Sequence, residues 1–397
     1  MRRHNLAAVI GHVHRSGPTS RAELTQTLGL NRSTIGALVD ELSARGLVAE
    51  RSDRARRTPG RPSYLVTVRT DTVAVLAVVL GVDTVTVATV APGGEILAED
   101  HVALTTDEDR SFDRVLTTIA RSCKKLAVAL PHGTMVTGMG VAVPGIVRRQ
   151  DGLVHFAPNL GWRDVPLGAR LRTRMRSRMG LDVPVACRND AGLGALAEHA
   201  RGIGAGVANL VYLHAEVGVG GGIVVDGALL EGAAGYGGEV GHMRVNPDGA
   251  PCRCGSRGCW ETEVGEDALV ALAGRRPGGR AVVEEVLRAV VAGEPSATRA
   301  VNTVARWLGI GVANLINCFN PDMVVLGGLF ADVMEHAGPS VIAQMRTGLV
   351  TPAHLDVALV TPTLGRHSVL LGAAEVALEP VLSDPACLPV QDIASLR

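Results

Sequence analysis

The 397-residue sequence predicts an α/β protein that carries a small helical unit at its N-terminus. Three observations support this prediction. Apolar residues near the N-terminus follow helical spacing, strand and helix patterns alternate through the rest of the chain, and the first 69 residues are rich in arginine. Hydrophobic residues make up 47% and charged residues 20%, a composition that excludes a disordered chain.

Charge is distributed unevenly along the chain. Residues 1–69 contain twelve arginines, no lysine and five acidic residues, a net charge of +7. Because the net charge of the whole chain is zero, residues 70–397 carry about −7. A basic segment on an acidic body indicates that one end meets a polyanion. We therefore divide the chain into a DNA-binding domain, 1–69, and a second domain, 70–397.

Three sequence features bear on the cellular compartment. The first residues interrupt their apolar run too early for a signal peptide. No apolar stretch approaches the roughly 18–20 residues that a membrane span requires. The seven cysteines do not follow a secreted disulfide pattern. We expect a cytoplasmic protein with no membrane partner.

The first 45 residues predict three helices. The first covers 5–14, and the second follows Ser20, an N-cap residue with Glu23 at the capping-box position. Gly29 allows a sharp turn into a third helix at about 31–45. This is the helix-turn-helix order, in which the third helix contacts DNA bases. The predicted DNA-contacting residues of its first turn are Asn31, Arg32, Ser33 and Thr34.

Two β-rich arms, 47–50 and 64–68, flank an arginine-rich loop and predict the wing of a winged helix. Arg61 lies between a glycine and a proline, a setting suited to a narrow minor groove. The alternative is a solvated basic hairpin that joins two domains. The wing arginines that we expect to contact DNA are Arg54, Arg56, Arg57 and Arg61.

From residue 70 onward, strands and helices alternate, with antiparallel hairpins at the start of each half. The predicted strands are 73–80, 84–90, 96–104, 136–143, 183–187, 207–214, 219–226, 323–326 and 355–361. The predicted helices are 112–130, 167–178, 191–202, 266–274, 280–292, 296–318, 332–347 and 368–378.

The segment 239–261 contains too little apolar surface to hold its own shape. A tetrahedral zinc ion bound by one imidazole and three thiolates would fix it. Chance clustering and a disulfide are the alternatives. The predicted ligands of this structural Zn²⁺, which span the loop 242–259, are His242, Cys252, Cys254 and Cys259.

Five longer motifs resemble the ROK family (repressors, open reading frames and kinases). They are VAVPGIV at 141–147, APNLGW at 157–162, RNDAGLGALAE at 188–198, GVGGGIVVDGALLEGAAGYGGEVGHM at 218–243 and CRCGSRGCWE at 252–261. The resemblance covers residues 1–380, with the winged helix that longer members carry. It implies a two-lobed, actin-like ATPase (ribonuclease H-like) fold with a sugar site in the cleft, and a homodimer or homotetramer.

The resemblance also implies which residues contact the sugar. Amide and carboxylate groups suit a pyranose, whose hydroxyls both donate and accept hydrogen bonds. In a kinase, Asp190 would accept the proton of the sugar hydroxyl; a helix N-cap is its alternative role. Surface solvation is the alternative for each polar residue. The expected sugar-contacting residues are Asn159, Asn189, Asp190, Glu239, His242 and Glu261.

The phosphate loops depart from the kinase pattern of this family. Val79 stands in place of an aspartate, and Val82-Asp83-Thr84 in place of Gly-Thr-Lys. Glu216 and Val217 replace the usual Gly-Thr of the second loop. Valine cannot help to hold Mg²⁺, and the acidic groups would repel phosphate. We therefore expect no enzymatic activity and interpret Asp190 as a vestigial base.

We interpret the protein as a transcriptional repressor that binds double-stranded operator DNA and senses a sugar or sugar derivative. The first alternative is an ATP-dependent, glucokinase-like sugar kinase with a regulatory DNA-binding domain. The second is a constitutive DNA-binding protein that is controlled by a protein partner.

Overall fold

The computed structural model describes residues 1–52, 64–106, 108–351 and 355–390. The N-terminal part contains three helices and a small antiparallel sheet in which β3 lies between β1 and β2. Its elements are α1 (Arg2–Ser16), β1 (Thr19–Ser20), α2 (Arg21–Leu28), α3 (Arg32–Ala44), β2 (Val48–Ser52) and β3 (Tyr64–Val68).

Local sequence signals account for this N-terminal fold. The Ser20 hydroxyl accepts a hydrogen bond from the Glu23 backbone N–H, and the Glu23 carboxylate accepts one from the Ser20 N–H. This is the predicted capping box, and it starts α2. Gly29 has φ +64° at the end of α2, which glycine adopts without strain. Strand β1 was not predicted, because two residues are too few to show a pattern.

The rest of the chain contains two five-stranded sheets and nine helices within the described residues. The strands are β4 (Val73–Leu80), β5 (Thr84–Val90), β6 (Ile96–Ala103), β7 (Met135–Val143), β8 (Ile146–Val147), β9 (Val154–Ala157), β10 (Trp162–Val165), β11 (Val185–Asn189), β12 (Leu210–Ala215), β13 (Val219–Val225), β14 (Ala228–Leu229), β15 (Met323–Gly328) and β16 (Ala358–Val360). The helices are α4 (Phe112–Val128), α5 (Leu167–Met179), α6 (Asp190–Arg201), α7 (Glu261–Val264), α8 (Glu266–Leu272), α9 (Gly279–Val291), α10 (Pro295–Phe319), α11 (Leu329–Gly348) and α12 (Ser368–Ser383).

The two large sheets share one strand order. The first runs β6-β5-β4-β7-β11 and the second runs β14-β13-β12-β15-β16. In each sheet the first three strands pair antiparallel and the last two join in parallel. The repeated topology confirms the predicted α/β class with two lobes.

Helices α6 and α12 lie on the face of the first sheet opposite α4 and α5. Ala195 of α6 also packs against Leu210 and Tyr212 of the second sheet. Helix α6 therefore contacts both lobes. The other face of the second sheet is covered by α7–α11, which form the largest apolar core with it.

Several short elements were absent from the sequence predictions. Strands β8, β9 and β10 form a small sheet between β7 and α5, and α7 directly follows the cysteine-rich loop. Strand β11 covers 185–189 rather than the predicted 183–187. These elements are short and mix polar with apolar residues, so their periodicity is weak. No helix in the described part of the chain is long and apolar enough to cross a membrane.

Candidate functional site

The structure brings four predicted metal ligands together. One ligand atom each from His242, Cys252, Cys254 and Cys259 lies within 4.8 Å of all the others. The Cys254 and Cys259 sulfurs are 3.7 Å apart, and the Cys252 sulfur is 3.7 Å from His242 Nδ1. In a tetrahedral zinc site with Zn–S bonds of about 2.3 Å, two thiolates lie about 3.7 Å apart. The four groups therefore fit a metal ion of this kind.

All seven cysteines are free thiols in the structure. The loop is anchored at its end by Trp260, which is fully buried and stacks on Phe330. The Trp260 indole N–H donates to the Trp307 carbonyl at 2.9 Å. Core packing thus holds one end of the loop, while the four clustered side chains lie in its interior.

The six residues expected to contact sugar all line one cavity between the lobes. Asn159 is in a 3₁₀ turn between β9 and β10 of the first lobe. Asn189 and Asp190 are at the junction of β11 and α6. Glu239, His242 and Glu261 approach from the second lobe. In the chain, Glu239 and His242 precede the three clustered cysteines and Glu261 follows them. The lobes therefore contribute polar groups from opposite sides.

Asn189 and Asp190 have different roles at the start of α6. The Asn189 side-chain oxygen accepts the Gly192 backbone N–H at 3.0 Å, so Asn189 rather than Asp190 is the N-cap. The Asp190 carboxylate accepts the Ala191 N–H at 2.7 Å. Burial raises the pKa of Asp190 to about 6; His214 opposes this effect and the charge of Glu216 adds to it. Its carboxyl group is thus enclosed in the cleft.

His242 lies between the metal ligands and the cavity. Its Nδ1 faces the Cys252 sulfur, and its Nε2 is 3.8 Å from the Glu239 carboxylate. Burial, followed by the charges of Asp190 and Glu261, raises the pKa of Glu239 to about 7. This arrangement permits the double role expected for His242, with one nitrogen for a metal and the other toward the cavity.

Arg253 was not predicted as a site residue. It lies between two of the cysteines, and its guanidinium donates to the Asn159 side-chain oxygen at 2.5 Å and to Asp267 at 3.1 Å. The hydrogen bond between Arg253 and Asn159 joins the two lobes. It also orients the Asn159 amide, whose nitrogen is 3.4 Å from the position that a β-carbon on Gly218 would occupy. Arg253 could have been identified from the sequence, because it lies between two predicted metal ligands.

A larger cavity of about 980 Å³ adjoins the first. Val79, Asp83 and Glu216, from the segments that we interpret as altered phosphate loops, line it. Its lining includes five carboxylates and two guanidinium groups: Asp83, Glu216, Glu266, Asp332 and Glu335, with Arg280 and Arg366. Arg280 is occupied by an ion pair with Asp332 at 2.8 Å. Asp83 is likewise paired with Arg110 at 2.8 Å, so carboxylates outnumber guanidinium groups in the lining although several of them are in ion pairs.

His214 and Glu216 border both cavities and were not predicted as a pair. Their side chains are 3.2 Å apart. Burial lowers the pKa of His214, but the hydrogen bond to Glu216 and the negative charges of Glu216, Asp190 and Glu266 together outweigh burial, so the pKa is raised. This ion pair occupies the Glu216 carboxylate at the wall between the two cavities.

The first turn of α3 is exposed at Asn31, Arg32 and Ser33, and half-buried at Thr34. Asn31 is the N-cap, and its side-chain oxygen accepts the Thr34 N–H and the Ser33 hydroxyl, each at 2.8 Å. Its amide nitrogen is a hydrogen-bond donor at the exposed start of α3. The wing residues Arg54, Arg56, Arg57 and Arg61 lie outside the described residues.

Comparison with known proteins places the two parts of this chain in families. The model of the ROK family matches residues 75–379, which is most of the chain. The chain belongs to the ROK family. The model of the MarR family matches residues 7–58, the part that contains α1–α3 and β2.

Two relatives match nearly the whole of this chain. The xylose repressor of Caldicellulosiruptor bescii is 31% identical over 383 residues, which cover 92% of this chain and 93% of the repressor. The crystal structure of a ROK family transcriptional regulator, a homolog of the E. coli MLC protein, matches with a TM-score of 0.75 and 27% identity over 96% of this chain and 97% of that one.

A ROK kinase matches only the larger part of this chain. The glucokinase of Streptomyces griseus, solved with glucose and AMPPNP, has a TM-score of 0.64 and 28% identity. The match covers 99% of the glucokinase but 77% of this chain. Part of this chain therefore has no counterpart in the kinase.

Proposed function

We propose that this ROK protein is a transcriptional repressor that binds operator DNA through its winged helix and senses a sugar in the cavity between its lobes. The observation that carries the proposal is the joining of the two parts in one chain. An exposed α3 N-terminus precedes a kinase-like body whose cavity gathers six polar side chains from both lobes. Repressor relatives match nearly the whole chain.

The sugar-contacting groups in this proposal are the side chains of Asn159, Asn189, Asp190, Glu239, His242 and Glu261. Together they offer amide donors and carboxylate acceptors to a ring of hydroxyls. D-xylose is the first sugar to test, because the full-length relative of C. bescii is a xylose repressor. D-glucose and N-acetylglucosamine present similar hydroxyls and complete the panel.

We further propose that the metal is a structural Zn²⁺, since three thiolates and one imidazole are ligands that zinc prefers. We place the domain boundary between residues 69 and 70 and propose a cytoplasmic homodimer or homotetramer. A two-fold dimer would favour a pseudo-palindromic operator.

We propose that the protein has no kinase activity. Support comes from the larger cavity, where Val79 offers no ligand for Mg²⁺ and carboxylates outnumber guanidinium groups. One observation favours the kinase alternative: Asp190 opens α6 at the sugar cavity with a carboxyl group of raised pKa. A coupled assay with ATP, Mg²⁺ and the sugar panel separates the two functions, and turnover that Asp190→Asn abolishes would establish the kinase.

Fluorescence anisotropy and thermal shift test the proposed function directly. We expect wild-type protein to prefer DNA from its own promoter region over random duplex at moderate salt. Arg32→Ala should weaken binding and reduce the dependence of affinity on salt, because a phosphate contact is lost. One sugar of the panel should raise the melting temperature, since a ligand that binds only the native state stabilises it. Equal affinity for both duplexes would refute the proposal.

A further inference from the structure

A buried polar cluster lies where the winged helix meets the body. It comprises His14 of α1, Arg201 at the end of α6, Glu375 of α12 and the backbone of Gly93 in the turn between β5 and β6. The side chains of His14, Arg201 and Glu375 are 0%, 9% and 11% exposed. We call it the junction cluster.

The hydrogen bonds of the junction cluster join all four segments. Arg201 donates through Nε to Glu375 at 2.8 Å and through Nη1 to the Gly93 carbonyl at 2.6 Å. The Gly93 N–H donates to His14 Nδ1 at 2.8 Å, and His14 Nε2 lies 3.0 Å from the Glu375 carboxylate and 2.6 Å from Arg201 Nη2. Because these charges are buried, separating any one from its partners is costly. The cluster therefore favours one defined arrangement.

Helix α6 connects this cluster to the candidate sugar cavity. Its first residue, Asp190, lines the cavity, and its last, Arg201, is in the cluster. Twelve residues of α-helix span about 18 Å. The same rigid element thus has one end at each site.

Helix α6 is closely packed against its neighbours along this length. A methyl group added to Gly372 of α12 would lie 2.0 Å from the Leu193 carbonyl oxygen, so the two helix backbones are in direct contact. Glu198 is fully buried and accepts hydrogen bonds from the Leu364 N–H at 3.0 Å and the Ser368 hydroxyl at 2.6 Å. A shift of α6 therefore displaces the start of α12 with it, because close-packed backbones do not deform gradually.

The winged helix shares its core with α12. Val381 and Leu388 are buried together with Leu6, Ile10 and Val13 of α1. Movement of α12 relative to α1 must therefore repack the apolar core of the DNA-binding part as well as the junction cluster.

We propose that α6 transmits sugar occupancy to the DNA-binding part through the junction cluster, with Arg201 as the positioning residue. The inference rests on the proposed function, since it assigns regulation to the same cavity. Sugar contact at Asn189 and Asp190 biases the position of α6. Displacement of Arg201 then moves Glu375 and His14. Movement of α1, which contains His14, shifts the two α3 helices of a dimer relative to each other.

The test is a thermodynamic coupling measurement on the full chain. Dissociation constants are measured for a duplex selected from a random pool by wild-type protein, with and without the tightest-binding sugar among D-xylose, D-glucose and N-acetylglucosamine. For wild type we expect a sugar-dependent change of about 5- to 150-fold, the usual range of allosteric coupling. For Arg201→Met we expect a residual change of less than about twofold, with sugar affinity in the absence of DNA altered by less than about threefold.

Arg170→Met is the matched control, because Arg170 is an exposed arginine of α5 on the other face of the first sheet. It should retain wild-type coupling. Glu375→Gln provides a second disruption that preserves side-chain shape, should Arg201→Met fail to fold. Hydrogen exchange of wild type should also change in α1 and in the 91–95 turn when sugar binds.

The outcomes separate the inference from the proposed function. If no sugar of the panel binds wild type, the proposed function fails and the transmission route fails with it. If sugar and DNA bind wild type and affect each other, but Arg201→Met and Glu375→Gln both retain that coupling, only the transmission route is wrong. Sugar and DNA binding to wild type without mutual effect would likewise overturn the route while leaving the sugar site intact.

Discussion

Asp190, a predicted sugar-contacting residue, lies at a position where an ionised carboxylate destabilises the folded protein. A carboxyl group enclosed at a helix start has its pKa raised from 3.8 to about 6, so the native state disfavours the ionised form. Because the folded pKa exceeds the unfolded one, ionisation destabilises the protein as pH rises from about 4 to about 6. This difference between the folded and unfolded pKa corresponds to about 3 kcal/mol.

Asp190→Asn should therefore stabilise the protein at pH 7.5, by up to about 3 kcal/mol in the free energy of unfolding. At pH 4 the gain should be largely lost, since wild-type Asp190 is then neutral in the native state. Urea unfolding at both pH values measures the difference. Asp356→Asn, at an exposed carboxylate, is the control. An Asp190→Asn gain that is the same at both pH values would contradict burial as the cause.

Arg253 provides a second test at the scale of one residue. Its hydrogen bond fixes the Asn159 amide with the nitrogen toward the cavity. Arg253→Met should weaken sugar binding about fivefold, as expected for a lost hydrogen bond worth about 1 kcal/mol. Calorimetry measures the affinity, and metal content should stay unchanged.

Arg244→Met is the control for Arg253, because Arg244 is an exposed arginine of the same loop. Arg253→Lys, which retains a donor, should recover part of the affinity. Wild-type sugar affinity in Arg253→Met would show that Asn159 needs no support from the metal loop.

At the scale of elements, the loop 242–259 depends on its ligands more than on apolar packing. Its boundary residue Trp260 is nevertheless fixed in the core of the second lobe by Phe330 and the Trp307 carbonyl. Loss of the metal should therefore disorder the loop and leave the lobe folded. The carboxylates of Glu239 and Glu261 would then lose their shared orientation.

Cys254→Ser, or chelation of the wild type, should reduce sugar affinity more than tenfold while the circular dichroism spectrum changes little. The tenfold loss corresponds to about 1.4 kcal/mol, a common cost of disturbing the support of a site. Metal analysis, calorimetry and circular dichroism make the comparison. Cys318→Ser is the control, because Cys318 is an exposed thiol far along the chain from the loop. A metal-free variant with intact sugar binding would separate the two sites.

At the scale of the whole molecule, the two cavities between the lobes differ in chemistry. The smaller gathers amides and carboxylates around the predicted sugar site, and the larger, beside the segments that we interpret as altered phosphate loops, has more acidic than basic groups. We expect AMPPNP with Mg²⁺ to leave the melting temperature unchanged under conditions where the sugar raises it. A ROK glucokinase should respond to both ligands in the same assay. Stabilisation of this protein by AMPPNP would contradict the electrostatic argument.

Elements with strong local signals were predictable from the sequence. The capping box at Ser20 and Glu23 starts α2 where expected, and strands β4 and β5 have the predicted limits. The short strands β8–β10 were not predictable, because their few residues have no clear period. The hairpin of β9 and β10 holds Asn159. Sequence periodicity therefore could not predict this part of the candidate site.

The sequence by itself determined the helix-turn-helix pattern, the alternation of strands and helices, and the four clustered metal ligands. Each of these depends on spacing within a short segment, where helix and strand periods or ligand chemistry restrict the choices. Only the tertiary structure decided that Arg253 meets Asn159, and that His14 lies against Glu375, 361 residues away. Such contacts follow from how helices and sheets pack, and residue spacing along the chain does not encode that packing.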